Sequence, residues 1–419
     1  MNILHLNTFD IEGGAARAAW RLHEGLRATG TKSRMLVQTK TSRDSNAVER
    51  DTAFARELGK LRPMAEILPL IPYHGRPATH WATEWLPTTI NRQIRVMNPD
   101  ILHIHWICRG FMSIPDVGRL AKPVVWTLHD SWAFTGGCHV PGTCTRYQAH
   151  CGQCPQLHST HENDLSRWIL DRKEHYWKKT PITVVAPSQW LADCARSSTL
   201  FRDHRIEVIP NGIDTKTYSP ISREEARTAL TLPPKKKLVL ISAMNATLDL
   251  NKGFRFLEAA LRRLAASGWS DKLELMVVGQ SAPPSPVNTG VPTRFMGVLK
   301  DESSMRLAYS AADVTVLTSL QENLPNSIME SMSCGTPVVA FGVGGIPQLI
   351  EPGVNGLLAK PFEVADLATG IEVLISQAHL RDQMGKAARL KIVKEFDSAV
   401  ITRRYLDLYE TLRLDSPTQ

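Results

Sequence analysis

The sequence predicts an α/β protein of two doubly wound parallel-sheet domains, and three observations carry the prediction. At 419 residues the chain is too long for one ordinary hydrophobic core. Short, near-continuous apolar runs such as Ile3–Thr8, Ile182–Ala186 and Lys237–Ser242 alternate with amphipathic segments, as strands covered by helices on both faces require. The alternation pauses at the turn-rich Pro210-Asn-Gly-Ile-Asp214 and then restarts.

Composition narrows the partners. With 43% hydrophobic and 21% charged residues the chain is ordinary for a soluble protein. Its net charge of +8 is uneven: residues 1–207 hold 26 basic against 19 acidic side chains, and the remainder 23 against 22. A basic first half predicts an anionic partner, such as a lipid-phosphate acceptor or membrane headgroups. Nucleic acid is disfavoured, because no basic cluster is interleaved with a recognition helix or stacking platform. The start Met1-Asn-Ile-Leu-His lacks a basic leader, and no apolar run approaches about 18 residues. The expectation is a cytoplasmic protein associated peripherally with the inner face of a membrane. Seven cysteines, an odd number, in a reducing compartment argue against structural disulfides.

In the first half, the strand Ile3–Thr8 leads through Phe9–Arg17 into a helix ending near Ala28, with the next strand at Met35–Gln38. Strand, Gly13-Gly14 and helix start form an anion-compatible turn, although the spacing is not that of dinucleotide dehydrogenases. A tight turn without a ligand is the competing reading. Residues 60–95 are rich in Pro and Trp with poor periodicity, which predicts an irregular or helical insertion. Packing on the domain and contact with lipid are both open to it. Asp100–Trp106 and Pro123–Asp130 read as further buried strands that end in polar residues. Ligands of open α/β sheets gather at the carboxyl ends of strands, which makes His105, His129 and Asp130 candidates for a ligand pocket. A core histidine is the alternative for His105.

Four of the seven cysteines follow within 17 positions, at Cys138, Cys144, Cys151 and Cys154. Such a cluster in a reducing compartment suggests thiolate ligation of structural zinc. Two disulfides or free thiols, and then an iron–sulfur cluster, stand behind that reading. His139, His150 and His158 are spare ligands, and the segment is given no part in chemistry. Leu165–Lys179 reads as an amphipathic helix with a solvated basic face that includes Lys173, an anionic-membrane contact being the sharper alternative. Another helix opens at Pro187–Trp190, and Arg205–Ile209 is the last strand before the boundary.

The second half begins with the strand Lys237–Ser242. Asn251-Lys-Gly253 precedes a helix to about Ala266, and Leu273–Gly279 is the next strand. A lysine before a glycine at a helix start can neutralise a diphosphate as a point charge, though a plain surface lysine fits as well. After a Pro-rich loop and Phe295–Leu299 come a helix around Ser304–Ser310 and the strand Asp313–Thr318. The stretch Thr318–Phe341 then reads as a strand end, a polar loop with Glu322, a short helix opened by Pro325, a stop at Gly335-Thr-Pro337 and a strand Val338–Phe341. Asn326 and Glu330, four apart, share one helix face. A helix start favours phosphate and a carboxylate accepts a sugar diol, so the pattern suggests a nucleotide-sugar site. Helices from Val364 and Leu380 follow, and a terminal helix spans about Ser398–Leu414.

The Glu322-x7-Glu330 spacing with Cys334-Gly-Thr-Pro-Val-Val339 resembles the signature of retaining glycosyltransferases of family four. The cysteine-rich insert resembles one in the subgroup related to colanic-acid-type polysaccharide enzymes. The resemblance implies a GT-B fold, two Rossmann-like domains facing a cleft. The implied division is an acceptor domain over 1–207 with its insert at 131–158, a nucleotide-sugar domain over 208–397, and a helix from 398 to 419 crossing back to the first domain. It implies transfer of a sugar from a nucleotide diphosphate sugar to a hydroxyl acceptor such as a lipid-linked glycan, in cell-surface polysaccharide or glycolipid synthesis. No cofactor is required, and no Asp-x-Asp pair stands where a metal would be held. Glu322 would orient the sugar, with His129 and Asp130 beside it. Donor binding would fall to Gly13, Gly14, Lys252, Val298, Asn323, Leu324, Asn326 and Glu330, the last on the ribose. The family usually pairs its lysine with an arginine about nine positions earlier, where this chain has Ala243; Arg17 is one cation that would compensate. Two other functions compete: a non-catalytic nucleotide-sugar sensor or scaffold, and a glycoside hydrolase with paired carboxylates.

Overall fold

The computed structural model describes residues 1–77, 79–299 and 301–415. Two compact units make up the chain, Met1–Gly212 with Ile401–Gln419, and Ile213–Val400.

Unit 1 is built on strands β1 (Asn2–Phe9), β2 (Lys32–Thr39), β3 (Ala47–Val48), β4 (Ile101–Ile104), β5 (Val124–Thr127), β6 (Ile182–Ala186) and β7 (Ile206–Val208). They form one sheet in the order β3-β2-β1-β4-β5-β6-β7, and every pairing is parallel. Its helices are α1 (Gly14–Ala28), α2 (Ala53–Ala65), α3 (Ile90–Met97), α4 (Ile114–Gly118), α5 (Leu165–Trp177) and α6 (Gln189–Ser197). Strands β4, β5 and β6 are buried along their whole length, which is why they carry unbroken apolar sequence rather than alternation. The strand order reverses between β1 and β4, so the loops that follow them diverge and leave a crevice at the carboxyl edge.

Unit 2 repeats the scheme with β8 (Lys237–Ser242), β9 (Leu273–Val278), β10 (Thr293–Phe295), β11 (Val314–Leu317), β12 (Val338–Phe341) and β13 (Gly356–Ala359). The order is β10-β9-β8-β11-β12-β13, again wholly parallel, with the reversal between β8 and β11. Helices α7 (Arg223–Ala229), α8 (Phe254–Leu264), α9 (Glu302–Ala311), α10 (Asn326–Ser333), α11 (Ile346–Leu349), α12 (Val364–Ser376) and α13 (Ala378–Glu395) surround it. The last helix, α14 (Ser398–Asp415), starts in unit 2 and belongs to unit 1 from Ile401 onward. There Ile401, Tyr405, Leu408 and Tyr409 bury against Ile3, Leu26, Ile101 and Val125. Two of its phenols reach the sheet: Tyr409 bonds His103 at 2.6 Å and Tyr405 bonds Thr127 at 2.8 Å.

The Pro-rich stretch, expected to be irregular or helical, is helical in part, since α2 runs through Pro63. Two other expectations are corrected. Lys173, read as part of a solvated basic face, is fully buried: its ammonium donates to the carbonyls of Trp132 and Thr135 and lies 3.8 Å from the Trp132 ring centroid. Burial lowers its pKa to about 7. Pro325 stands at the cap position before α10 rather than inside its first turn.

Candidate functional site

β8 and β11 are neighbouring strands of the unit 2 sheet, and at their carboxyl ends the turn after β8 lies against the segment that leaves β11. The turn Asp249–Gly253 is stitched to the segment Thr318–Gln321 by three hydrogen bonds. Thr318 Oγ1 donates to the Lys252 carbonyl at 2.9 Å, the Leu320 amide to Asn251 O at 2.7 Å, and Asn251 Nδ2 to Gln321 O at 3.0 Å. Gly253 makes the approach feasible. Its φ is +61°, and a Cβ there would lie 2.1 Å from the Thr318 carbonyl oxygen.

The result is an ion pair at the strand ends. Lys252 Nζ donates to Glu322 Oε1 at 2.7 Å, and Ser319 Oγ donates to the same oxygen at 2.9 Å. Glu322 holds Lys252 above its ordinary pKa, against the opposing effect of burial. The Glu322 backbone is fixed from the other side by the Gly345 amide, which donates to its carbonyl at 3.0 Å. Gly344, at φ +57°, lets that loop close: a Cβ there would sit 2.0 Å from the Glu322 oxygen.

Glu330 lies deeper. It is buried on α10 and accepts from the Tyr309 hydroxyl at 3.0 Å, while burial and the Glu330 charge push Tyr309 well above the usual phenol range. Leu324 is buried, and Val298 is half exposed beside Gly297, whose carbonyl accepts from the Gly279 amide at 2.8 Å. Asn323 and Asn326 flank Pro325 at the start of α10. Ala243 does stand at the end of β8, so no arginine occupies that place.

In unit 1, Gly13 is exposed at φ +91° and caps α1 without a side-chain bond, and Gly14 is the first helical residue. Asp10 anchors the preceding loop by accepting from the Ile11, Thr41 and Ser42 amides. Along the same sheet edge His129 and Asp130 follow β5. Burial alone would raise Asp130, but His139 at 2.7 Å, the Trp132 amide at 2.8 Å and the Trp106 indole at 3.0 Å hold it below the ordinary carboxylate range. Burial lowers His129 to about 4, with Asp130 opposing.

Two candidates move. His105, expected in the pocket, is only 4% exposed and reaches the edge through His129 alone, at 3.1 Å. His139 is bonded to Asp130 instead of standing by as a metal ligand. His5 and His103, which the sequence reading passed over, lie beside His105. Parallel pairing sets His5 opposite His103, and His103 and His105 share a strand face. The His103-Ile-His105 alternation was the visible signal; the partner on β1 needed the register.

The four cysteines do converge. Cys138, Cys144, Cys151 and Cys154 line one cavity of about 20 Å³ with Thr135 and Tyr147. Among the described residues, however, the group of metal-binding side chains whose donor atoms all lie within 4.8 Å of one another is His5, His103 and His105. Both nitrogens of His103 and of His105 are already hydrogen-bonded there. Among the described residues no helix is long and apolar enough to cross a membrane.

Comparison with known proteins follows the same division. Residues 12–217 match the family described as Glycosyltransferase Family 4, and residues 235–377 the one described as Glycosyl transferases group 1. The colanic acid biosynthesis glycosyl transferase WcaC of Escherichia coli is 27% identical, over 98% of this chain and all of its own length. Sucrose-phosphate synthase from Thermosynechococcus elongatus superposes with a TM-score of 0.71 at 20% identity, covering 99% of this chain and 100% of that one. HepE of Anabaena, solved with UDP and glucose, gives 0.66 at 18% identity, covering 98% and 100%.

Proposed function

Since the chain belongs to the family-four glycosyltransferases, we propose that it transfers a sugar, with retention and without a metal, from a nucleotide diphosphate sugar to a hydroxyl of a growing cell-surface glycan. WcaC is named for colanic acid biosynthesis and HepE was solved with UDP and glucose, which makes a uridine diphosphate sugar the first donor to try. The observation that carries the reading is the Lys252–Glu322 pair at 2.7 Å, held at the order reversal of the unit 2 sheet. An ammonium has three donors, so Lys252 keeps Glu322 in place while a second N–H meets a diphosphate oxygen. Fixed positive charge there stabilises the diphosphate as it departs, where negative charge grows. Glu322 then accepts from sugar hydroxyls, and Glu330, turned toward Tyr309, takes the ribose. Gly297-Val298 offers main chain to the base, and the loop with Asn323, Leu324 and Asn326 borders the diphosphate. Unit 2 is thus the donor half. Unit 1 takes the acceptor, His129 and Asp130 serving the transfer there, while the helix start at Gly13 and Gly14 is offered to donor phosphate.

A thermal-shift screen of nucleotide diphosphate sugars, followed by transfer assays with chelator present, tests this. A true donor raises Tm in proportion to its affinity, and the product keeps the donor's anomeric configuration by NMR. Donor binding without transfer to any acceptor would select the sensor reading instead, and no stabilisation by any such sugar would remove both.

We also infer that the cysteine cavity holds a structural zinc ion, the four thiols drawing in around it as thiolates, with no part in transfer. The shared cavity supports this. Elemental analysis of protein purified without chelator decides it, and less than a tenth of an equivalent of metal rules it out.

A further inference from the structure

The three imidazoles His5, His105 and His129 are joined end to end inside unit 1. His5 Nδ1 lies 3.0 Å from His105 Nε2, and His105 Nδ1 lies 3.1 Å from His129 Nε2. The rings of His5 and His105 stack with centroids 5.2 Å apart, and those of His105 and His129 at 5.4 Å. The row starts at a fully buried ring on β1 and ends at a partly exposed one just past β5. We infer that His5 and His105 are positioning residues whose hydrogen bonds order the protons of this row, so that His129 carries its proton on Nδ1.

Each ring is neutral at physiological pH. Burial lowers His5 and His105 well below the ordinary histidine value, with further lowering from neighbouring histidines. A neutral imidazole carries one proton, so each N···N contact pairs one donor with one acceptor. With both contacts made, the row has only two arrangements. In one, His5 donates from Nδ1 to His105, His105 donates from Nδ1 to His129 Nε2, and the third proton stands on His129 Nδ1. In the other every donor and acceptor is exchanged, and the protons run back toward His5.

The inner end of the row separates the two. His5 Nε2 is buried and has no hydrogen-bond partner. In the first arrangement it is a bare lone pair; in the second it is a buried N–H with nowhere to donate. Orphaned buried N–H groups are the rarer and costlier of the two. His103 leaves the choice unaltered, because its Nδ1 meets Tyr409 at 2.6 Å and its Nε2 meets Thr127 at 2.7 Å. It stacks on His105 at 4.1 Å without entering the row. The first arrangement is therefore the preferred one.

For the site this decides a role. A ring protonated on Nδ1 and accepting on Nε2 presents an N–H donor at the end of β5. It suits an oxygen of a sugar or phosphate and is unsuited to act there as a base. That consequence rests on the proposed part of His129 in the transfer; the proton order itself does not.

The test is nitrogen NMR of histidine-labelled full-length protein near neutral pH, with the His129 signals assigned by their absence from His129→Gln. Wild type is expected to show pyrrole-type Nδ1 and pyridine-type Nε2 at His129. His5→Phe keeps an aromatic ring in the stack and removes the ordering donor. It is expected to bring His129 toward a mixture, the two nitrogen signals moving toward each other. Wild-type protein with the proton on His129 Nε2 overturns the inference, as does a folded His5→Phe variant with an unchanged spectrum. Should His5→Phe not fold, the wild-type spectrum alone still decides. No sugar is present in the sample, so failure of the transferase reading leaves this result standing.

Discussion

Glu322 and Lys252 hold each other at 2.7 Å, and Ser319 shares the same carboxylate oxygen. Glu322→Gln preserves the shape and both contacts but removes the charge. Contacts to charged groups contribute about 1.5–3 kcal/mol, which corresponds to a fall in kcat/KM of roughly 10- to 150-fold. Tm should move by no more than about 2 °C, so the loss belongs to the site and not to folding; unaltered turnover would remove Glu322 from it. Lys252→Met is expected to abolish the thermal shift given by the donor. The pair also has a pH signature. Glu322 raises the Lys252 pKa, so the stabilisation it brings is complete below the ordinary lysine value of about 10.4 and fades as pH climbs through the raised one. Melting curves of wild type and Lys252→Met should keep a constant gap at neutral pH and close it only in strong alkali. At this scale the sequence was legible where the signal is local, as in the turn with Lys252 and Gly253 and the strand end with Glu322, which do meet. It was not legible for Tyr309 beneath Glu330, since nothing in a tyrosine 21 positions away announces a hydroxyl 3.0 Å from a carboxylate.

Elements were legible wherever pattern and burial agree. The strand Lys237–Ser242 has the same limits in sequence and structure, and α10 ends at the expected Gly335 stop. Residues 53–71 were harder, because their apolar side chains do not face a core. Phe54, Leu61 and Met64 of α2 are 77%, 61% and 71% exposed, and Leu58, Ile67, Leu68 and Ile71 extend the patch. Arg56 and Lys60 lie exposed beside it, Lys60 being paired with the exposed Glu57 at 2.6 Å, which leaves one net positive charge. An outward apolar stripe with basic neighbours suits a surface of anionic lipid, where the stripe enters the headgroup boundary. We propose that unit 1 meets the membrane here. Leu61→Asp with Met64→Asp should cut sedimentation with anionic vesicles at low salt at least tenfold, leaving donor-induced thermal shifts intact. Equal sedimentation of both proteins would sink the proposal. A second element-scale prediction concerns the loop at Gly344, where a Cβ would press on the Glu322 carbonyl at 2.0 Å. Gly344→Ala should destabilise by about 1–3 kcal/mol and lower donor affinity as well, since the loop that seats Glu322 must move. A variant as stable and as tight-binding as wild type would show that the loop yields freely.

Across the whole molecule the titratable groups are unevenly shared. Of 14 histidines all but His379 fall in unit 1, and His5, His23, His103, His105, His129 and His204 have lowered pKa values there, burial being the largest cause in each. His23 and His129 titrate at about 4 in the folded chain, against about 6.5 when unfolded. Between those values the unfolded chain takes up protons that the folded one refuses. The stability they support is therefore whole above about pH 6.5 and drains away as pH falls toward about 4, by up to about 3 kcal/mol per histidine. The buried carboxyls Glu66 and Glu84 have raised pKa values and act the other way, but six rings stand against two acids. Unit 1 should accordingly loosen in mild acid while unit 2 holds. Hydrogen exchange of the full chain at about pH 7 and about pH 5, corrected for intrinsic rates, is expected to show protection falling at least tenfold in β1, β4 and β5. The strands β8, β11 and β12 should keep theirs. Equal loss in both sheets, or earlier loss in unit 2, would mean that the histidine row is not what sets the acid limit of the fold.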